Sequence, residues 1–349
     1  MGKACRYRCC FAYFVRRALV ATHPCCSFLA PGLLRYRWCF AYFVRRAYAI
    51  VSAIMKIGLA LPSMVAGLDR ATILEWMRVA DDGPFSILGV GERIAYPNQE
   101  MMALLAGAAA VTSRIELMAS VSVTPMHPPV YVAKQAATID VLSGGRLTLG
   151  VGVGGRDEDY RALGAPFERR HQRLDDQIAV MRKVWAGEVA VEGVGPIGPP
   201  PVQPGGPRLL TGSMGPKSMA RAAQWAAGIA GFDMSCDAAA IRDASAAFSA
   251  QWANAGRTGL PWLQSSAWFS LRSDASERLS DYAFNYLRIF GDDVARSLAG
   301  LQRLSTASAM RDALKAVADT GLDEFILVAT TADADDARRA ADLVNSLSL

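Results

Sequence analysis

The stretch RLTLGVGVGG, residues 146–155, joins a Leu/Val-rich run to a group of four glycines. Three of these glycines match the G-x-G-x-x-G pattern of a dinucleotide-binding turn. That interpretation requires an acidic residue about 20 positions later, at the end of the next strand. Asp175 and Asp176 have this spacing, but they lie within 170–186, where apolar residues recur at helical intervals. Because a mid-helix carboxylate cannot bind the ribose, the glycines need another explanation.

Outside this stretch, short apolar runs alternate with longer helical patterns from Met55 onward, which is typical of βα units in a parallel sheet. This rhythm over about 295 residues indicates an α/β fold of the (β/α)8 TIM-barrel type, with an open doubly wound sheet as the alternative. Strands are predicted at 56–62, 85–91, 115–123, 146–153, 208–213, 226–232, 262–271 and 324–330. Helices are predicted at 69–80, 98–112, 128–142, 170–186, 216–227, 237–255 and 334–347.

In such a barrel the active site forms where the strands end, so the glycines would lie at its rim. The missing side chains at Gly152, Gly154 and Gly155 would let a flat ring or a phosphate approach the backbone. They would equally let layers of the barrel pack closely. The residues themselves leave both interpretations open.

Residues 1–54 differ sharply in composition from the rest. They hold nine Lys or Arg, no Asp or Glu, six of the seven cysteines, and the repeat CFAYFVRRA at 10–18 and 39–47. A membrane-surface anchor, an export signal and a zinc site are alternatives, but prolines break the apolar run and the cysteines form no two clean C-x-x-C pairs. We interpret 1–54 as a basic, Cys-rich extension outside the folded enzyme and 55–349 as the barrel domain.

The body after residue 54 has 28 basic and 32 acidic residues, so its net charge is −4. A slightly acidic body argues against a nucleic-acid groove, which needs clustered basic residues. Cys236 is the only cysteine in this part, so no intrachain disulfide can form within it. This composition fits a reducing, cytoplasmic location.

Residues 127–185 contain HP, then AKQAATIDVLSGGR, then LGVGVG. In this order and spacing they resemble the most characteristic segment of the luciferase-like flavin-dependent monooxygenases, a family that includes coenzyme F420-dependent oxidoreductases. The run PPPVQPGGPRLLTGS resembles the family's approach to its fifth strand. The similarity extends in outline from Met55 to the end.

The resemblance implies a (β/α)8 barrel that holds reduced FMN or coenzyme F420 at the carboxyl ends of its strands. Gly152, Val153 and Gly154 then line the flavin ring rather than bind a dinucleotide. Ala119 and Ser120 match the third-strand site where family members often carry a non-proline cis peptide beneath the ring.

The resemblance also implies a phosphate site after the fifth strand, at Gly212 and Ser213 and the following MGPKSMARAA. The Ser213 hydroxyl, the charge of Lys217 and backbone N–H groups at a helix start suit a phosphate. An ordinary Gly/Ser turn, with Lys217 as a solvated surface charge, is the alternative.

Many relatives place an acid followed by histidine at the end of the second strand, and that histidine acts as acid/base. This chain has Glu92 and Arg93 there. Arg93 stays protonated and is a poor acid or base, so we expect it to bind an anionic substrate or cofactor tail, with a Glu92 pair or simple exposure as alternatives. Glu92 is the nearest acid/base candidate, or a structural salt-bridge partner. His127, the histidine of HP, shapes the cofactor rim or has a structural role.

The expected function is a luciferase-like oxidoreductase that uses reduced FMN or F420 on a small organic substrate, with monooxygenation as the leading subtype. A separate flavin or F420 reductase and a homodimer are expected by resemblance, and no metal site is expected. Alternatives are a catalytically impaired flavin-binding barrel or partner subunit of an active homologue, and a peripheral membrane protein led by the basic repeat. Trp262, Trp268 and Phe269 would form either an aromatic wall or barrel packing.

Overall fold

The computed structural model describes residues 54–347. The predicted extension at 1–54, with its repeat and six cysteines, lies outside the described residues apart from Ile54. No helix within the described part is both long and apolar enough to cross a membrane.

Eight parallel strands form a closed barrel, and each strand pairs with the next before β8 returns to β1. All eight predicted strands are confirmed, with ends that differ by a few residues. The strands are β1 (Lys56–Ala60), β2 (Ile87–Val90), β3 (Glu116–Ser122), β4 (Leu147–Val151), β5 (Arg208–Thr211), β6 (Gly228–Ala230), β7 (Trp262–Phe269) and β8 (Glu324–Ala329).

Helices connect the strands on the outside of the barrel. The seven predicted helices are observed as α1 (Arg70–Asp82), α2 (Met101–Val111), α3 (Pro129–Ser143), α5 (Arg170–Trp185), α6 (Pro216–Ala222), α7 (Ala238–Asn254) and α11 (Ala334–Asn345). Four more were not predicted: α4 (Asp157–Ala162), α8 (Ala275–Leu287), α9 (Asp292–Ala299) and α10 (Ala307–Ala318). The last three lie in the long connection between β7 and β8.

Side chains along each strand alternate between the barrel interior and the helices. The outward set packs with the helices in the main core and includes Leu59, Leu88, Leu117, Leu149 and Leu327. The inward set forms a smaller apolar cluster of Ala60, Ile87, Met118, Leu210 and Ile326. This alternation decides which rim residues can reach a molecule bound at the mouth of the barrel.

A polar group closes the opposite end, where the strands begin. Glu324 accepts hydrogen bonds there from Ser86 and Gln264, at 2.5 and 2.7 Å. The Arg208 guanidinium lies 4.5 Å from the centre of the Trp262 ring. Trp262 therefore belongs to the floor of the barrel and is not part of an aromatic wall at its mouth.

Candidate functional site

Glu92 lies directly beyond the end of β2, among the carboxyl ends of β2, β3 and β4. Its side chain is only 3% exposed. One carboxylate oxygen accepts the backbone N–H of Val123, which follows β3, and the other lies 2.9 Å from Nε2 of His127. These contacts fix the carboxylate at the rim of the barrel.

His127, predicted to shape the cofactor rim or to have a structural role, lies at the end of the connection from β3 to α3, two residues before the helix begins. Its backbone is fixed, because its N–H donates to Thr124 and its carbonyl accepts from the Gln177 side chain. Burial, the largest single influence, lowers the pKa of His127, but the hydrogen bond to Glu92 and the charges of Glu92 and Glu100 outweigh it. The pKa therefore lies above the ordinary value of 6.5.

Arg93 pairs with neither Glu92 nor solvent. The two alternatives predicted for it, an ion pair with Glu92 and simple exposure, are therefore wrong. Its Nε donates to Asp159 at 2.8 Å, and an Nη donates to Glu158 at 2.9 Å. The second Asp159 oxygen accepts the backbone N–H groups of Ile94 and Ala95. Because these carboxylates already occupy the guanidinium, the structure does not favour Arg93 as an anion-binding group. It ties the β2 loop to α4.

Val121, which was not among the predicted site residues, forms an apolar platform across the ends of β4 and β5. A Cβ built on Gly152 would lie 3.0 Å from Val121 Cγ2, and one on Gly212 would lie 3.2 Å from the same atom. The glycines therefore make room for this half-buried valine. The contact of Gly152 with a ring stays a prediction, and Val121 is the side chain that lies beside its backbone.

The third-strand pair splits between the two faces of the barrel. Ala119 is fully buried in the outer core, so its side chain faces the helices and not the mouth. Ser120 points inward, since its Cβ lies 3.5 Å from a Cβ built on Gly89. The non-proline cis peptide is present one bond later than expected, between Ser120 and Val121.

The end of β4 is held from beneath by Tyr160 of α4. Its hydroxyl donates to the carbonyl of Val153 at 2.6 Å, and burial raises its pKa to about 12. A Cβ on Gly154 would lie 2.7 Å from Val123, and Gly154 has a φ of +59°. Gly155 has no atom within 4 Å of that position, so open space remains there.

The residues of the predicted phosphate site lie in the loop after β5 and at the start of α6. Gly212 and Ser213 are half-buried, whereas Met214 and Lys217 are exposed. The Ser213 hydroxyl lies 2.7 Å from that of Thr211, and the Ser218 hydroxyl closes the turn onto the N–H and the carbonyl of Gly215. Lys217 thus remains available to an anion from solvent.

Trp268 lies at the mouth on β7, in contact with aromatic side chains of other elements. Its ring centre is 4.8 Å from Phe232 after β6 and 5.5 and 5.3 Å from Tyr282 and Tyr286 on α8. Phe269, the next residue, is buried in the outer core. Trp268 itself is only 4% exposed and packs in an apolar cluster with Leu279 and Leu287 of α8, so the structure shows barrel packing for it, and the aromatic wall stays a prediction.

The α8 helix is tied across the mouth to the β4 loop. Arg156 donates to the carbonyl of Tyr286, and its guanidinium lies 4.7 Å from the centre of the Tyr286 ring. Burial, with smaller effects from Tyr286 and Tyr96, raises the pKa of Tyr282 well above 10.0. Tyr282 is therefore a neutral hydroxyl at the mouth across the physiological range of pH.

The residues at the mouth fit a flat, partly apolar cofactor with a phosphate tail. The Val121 platform, the open space at Gly155 and the exposed β5 loop are the features that such a group needs. No cluster of three or more His, Cys, Asp or Glu within residues 54–347 is arranged to hold a metal ion.

Comparisons with known proteins agree with this architecture. Residues 55–346 match the family model described as luciferase-like monooxygenase. An uncharacterized protein of Mycobacterium tuberculosis is 36% identical over 171 residues, which are 46% of this chain and 58% of that protein. The chain thus matches little more than half the length of this relative.

Solved structures share the fold at low sequence identity. The coenzyme F420-dependent tetrahydromethanopterin reductase of Methanopyrus kandleri superposes with a TM-score of 0.66 at 19% identity, over 84% of this chain and 98% of that one. The oxygenating constituent of 3,6-diketocamphane monooxygenase from Pseudomonas putida, solved in complex with FMN, gives 0.65 at 16% identity, over 84% and 97%.

Proposed function

The chain belongs to the luciferase-like monooxygenase family, and from that premise we propose that it is an oxidoreductase that uses reduced FMN or coenzyme F420 on a small organic substrate. Monooxygenation is the leading subtype. A bound cofactor of this kind would supply hydride transfer or oxygen activation, and the protein would supply binding, orientation and control of water.

The observation that carries the proposal is the platform made by Val121 over Gly152 and Gly212. A side chain at either glycine would force the valine to shift by a few tenths of an ångström. The half-buried valine gives a flat apolar surface that suits a tricyclic ring. Ser120, which faces the interior beside it, adds a hydroxyl for the ring's polar edge.

The β5 loop would hold the phosphate tail. Gly212 brings the loop against Val121, Ser213 offers a hydroxyl, and Lys217 offers a positive charge free of any ion pair within residues 54–347. Val153 and Gly154 lie one strand away and are proposed to border the ring through their backbone. In this assignment Ala119 and Arg93 support the site from behind and do not contact the cofactor.

The aromatic side chains of α8 and of the neighbouring strand ends would border the substrate. Phe232 and Tyr286, which pack on the buried Trp268, present half-buried ring surface, and Tyr282 presents a neutral hydroxyl donor. This combination suits a small organic molecule with an apolar body and at least one acceptor oxygen. We further propose that a separate reductase supplies the reduced cofactor, that the enzyme is a homodimer, and that residues 1–54 lie outside the barrel domain.

A binding titration of the full-length chain against FMN, reduced FMN and F420, followed by fluorescence and calorimetry, tests the proposal. Selective binding of F420 would indicate hydride transfer without oxygen, and selective binding of reduced FMN would indicate monooxygenation. A folded chain that binds none of the three would refute the proposed function.

A second candidate is a barrel that binds flavin without turnover, or that serves as partner subunit of an active homologue. The ion pairs of Arg93 favour it, because that position holds no titratable acid/base in this chain. Tight cofactor binding without turnover on a broad substrate panel would support this candidate over the first.

A further inference from the structure

The pair formed by Glu92 and His127 has the geometry of an oriented acid/base group. A carboxylate only accepts hydrogen bonds, so Nε2 of His127 is the donor in the 2.9 Å contact with Glu92. The second Glu92 oxygen is held by the Val123 N–H, so the carboxylate cannot rotate away. The imidazole is therefore fixed in one orientation from a single side.

The other ring nitrogen is available. No hydrogen bond joins Nδ1 of His127 to any residue in 54–347, and the side chain is 20% exposed. A histidine whose one nitrogen is held by a buried carboxylate and whose other nitrogen is free is the arrangement that acid/base catalysis requires. Nothing in the barrel's packing uses Nδ1.

The pair also lies at the proposed cofactor rim. Val123, which holds Glu92, is the residue that occupies the space beside Gly154 at the end of β4. The ends of β2, β3 and β4 thus converge on this pair.

We propose that His127, oriented by Glu92, donates a proton from Nδ1 to the molecule bound at the mouth and so fills the acid role that Arg93 cannot. The inference rests on the proposed function. In the transfer the Nδ1–H bond breaks and a bond from that hydrogen to an acceptor oxygen or nitrogen forms. The imidazolium becomes a neutral imidazole whose Nε2–H still donates to Glu92, and water returns the proton.

The surroundings of the imidazole favour its charged form. Glu92 beyond β2 and Glu100 at the start of α2 both act to raise its pKa. On the side of α5, Gln177 contacts its carbonyl, and the Arg173 guanidinium binds carbonyls of Pro125 and Pro166 and of Glu168. The carboxylates of Glu92 and Glu100 therefore outweigh burial and raise the pKa of His127.

Histidine NMR gives a direct test on the full-length chain, which has three histidines. His127→Asn and His171→Asn assign the two signals from described residues. His171 on α5 is the internal control, because most of its side chain is exposed. Partial desolvation, together with Arg170 and Arg221, lowers its pKa. Saturating FMN or F420 should raise the pKa of His127 by about half a unit or more and leave that of His171 unchanged.

Cofactor affinity gives the second readout. If the imidazolium donates to the bound molecule, a shift of about half a pKa unit means that the Kd of wild type should increase about threefold more than that of His127→Asn between pH 5.5 and 8.5. Glu92→Gln should lower the pKa of His127 and move this dependence to lower pH. Glu168→Gln, an exposed carboxylate outside the pair, should behave as wild type.

The outcomes separate the two claims. A wild-type chain that binds neither cofactor refutes the proposed function and this inference with it. Cofactor binding with an unchanged His127 titration, or with the same pH dependence in His127→Asn as in wild type, refutes the inference alone. The measurement on wild type needs no stable Glu92 variant.

Discussion

The Arg93 guanidinium lies 2.8 Å from the Asp159 carboxylate, and the two side chains are only 6% and 5% exposed. The pair joins the loop after β2 to α4, which follows β4. Because the same carboxylate also accepts two backbone N–H groups, it organises the mouth of the barrel from behind the proposed site.

Asp159→Ala should therefore be severely destabilising. It leaves a buried guanidinium and two N–H groups with reduced pairing, which typically costs about 3–5 kcal/mol of unfolding free energy. Asp157→Ala is the matched control on the same helix, because its ion pair with Arg161 is largely exposed and should contribute less than about 1 kcal/mol. Urea unfolding followed by circular dichroism measures both, and equal losses would contradict the assignment.

Gly150→Ala should distort the barrel wall. The new Cβ would lie 2.5 Å from the Ala119 carbonyl oxygen and 2.9 Å from Met118, and the backbone atom cannot move aside freely. We expect a loss of about 1–3 kcal/mol. Gly155→Ala meets no atom within 4 Å and should be close to neutral. Thermal unfolding of the two variants compares them, and a neutral Gly150→Ala would show that the wall is more plastic than its packing indicates.

Glu324 should make stability depend on pH. Burial raises its pKa above the ordinary value of 4.5, although hydrogen bonds from Ser86 and Gln264 oppose the shift. The folded state therefore favours the neutral acid, and this contribution is lost as pH rises from about 4.5 through the raised value.

Glu324→Gln should remove this loss, so the stability of wild type relative to the variant should fall as pH rises across that window. Urea unfolding at a series of pH values measures the difference. Glu277→Gln, at an exposed position of α8, serves as the control and should follow the wild-type profile. A difference independent of pH would argue against the raised pKa.

Lys217→Ala should weaken binding of FMN or F420 by about two- to fivefold, because an exposed charge contributes modestly to an anion site. The effect should shrink as ionic strength rises. Lys315→Ala, near the end of α10 and exposed, should leave affinity unchanged. Titrations at low and high salt measure both, and equal behaviour of the two variants would remove Lys217 from the phosphate site.

The pattern of apolar residues along the sequence predicted much of the fold. Eight apolar runs of strand length predicted the eight strands, because a parallel strand covered by helices must be apolar along its length. The helices between β7 and β8 were missed, although Leu279, Ala283 and Leu287 repeat at helical spacing. The prediction assumed one helix after each strand, whereas three helices lie between β7 and β8.

The amino-acid sequence by itself determined the strand and helix succession, and through its motifs the family and the rim at which a cofactor is expected. Only the tertiary structure decided the partners: Glu92 with His127, 35 residues apart, and Arg93 with Asp159, 66 residues apart. It likewise decided that Ala119 faces the helices while Ser120 faces the mouth. The physical reason is that periodicity encodes local conformation and one buried face, whereas side chains from separate strand ends meet only when the barrel closes.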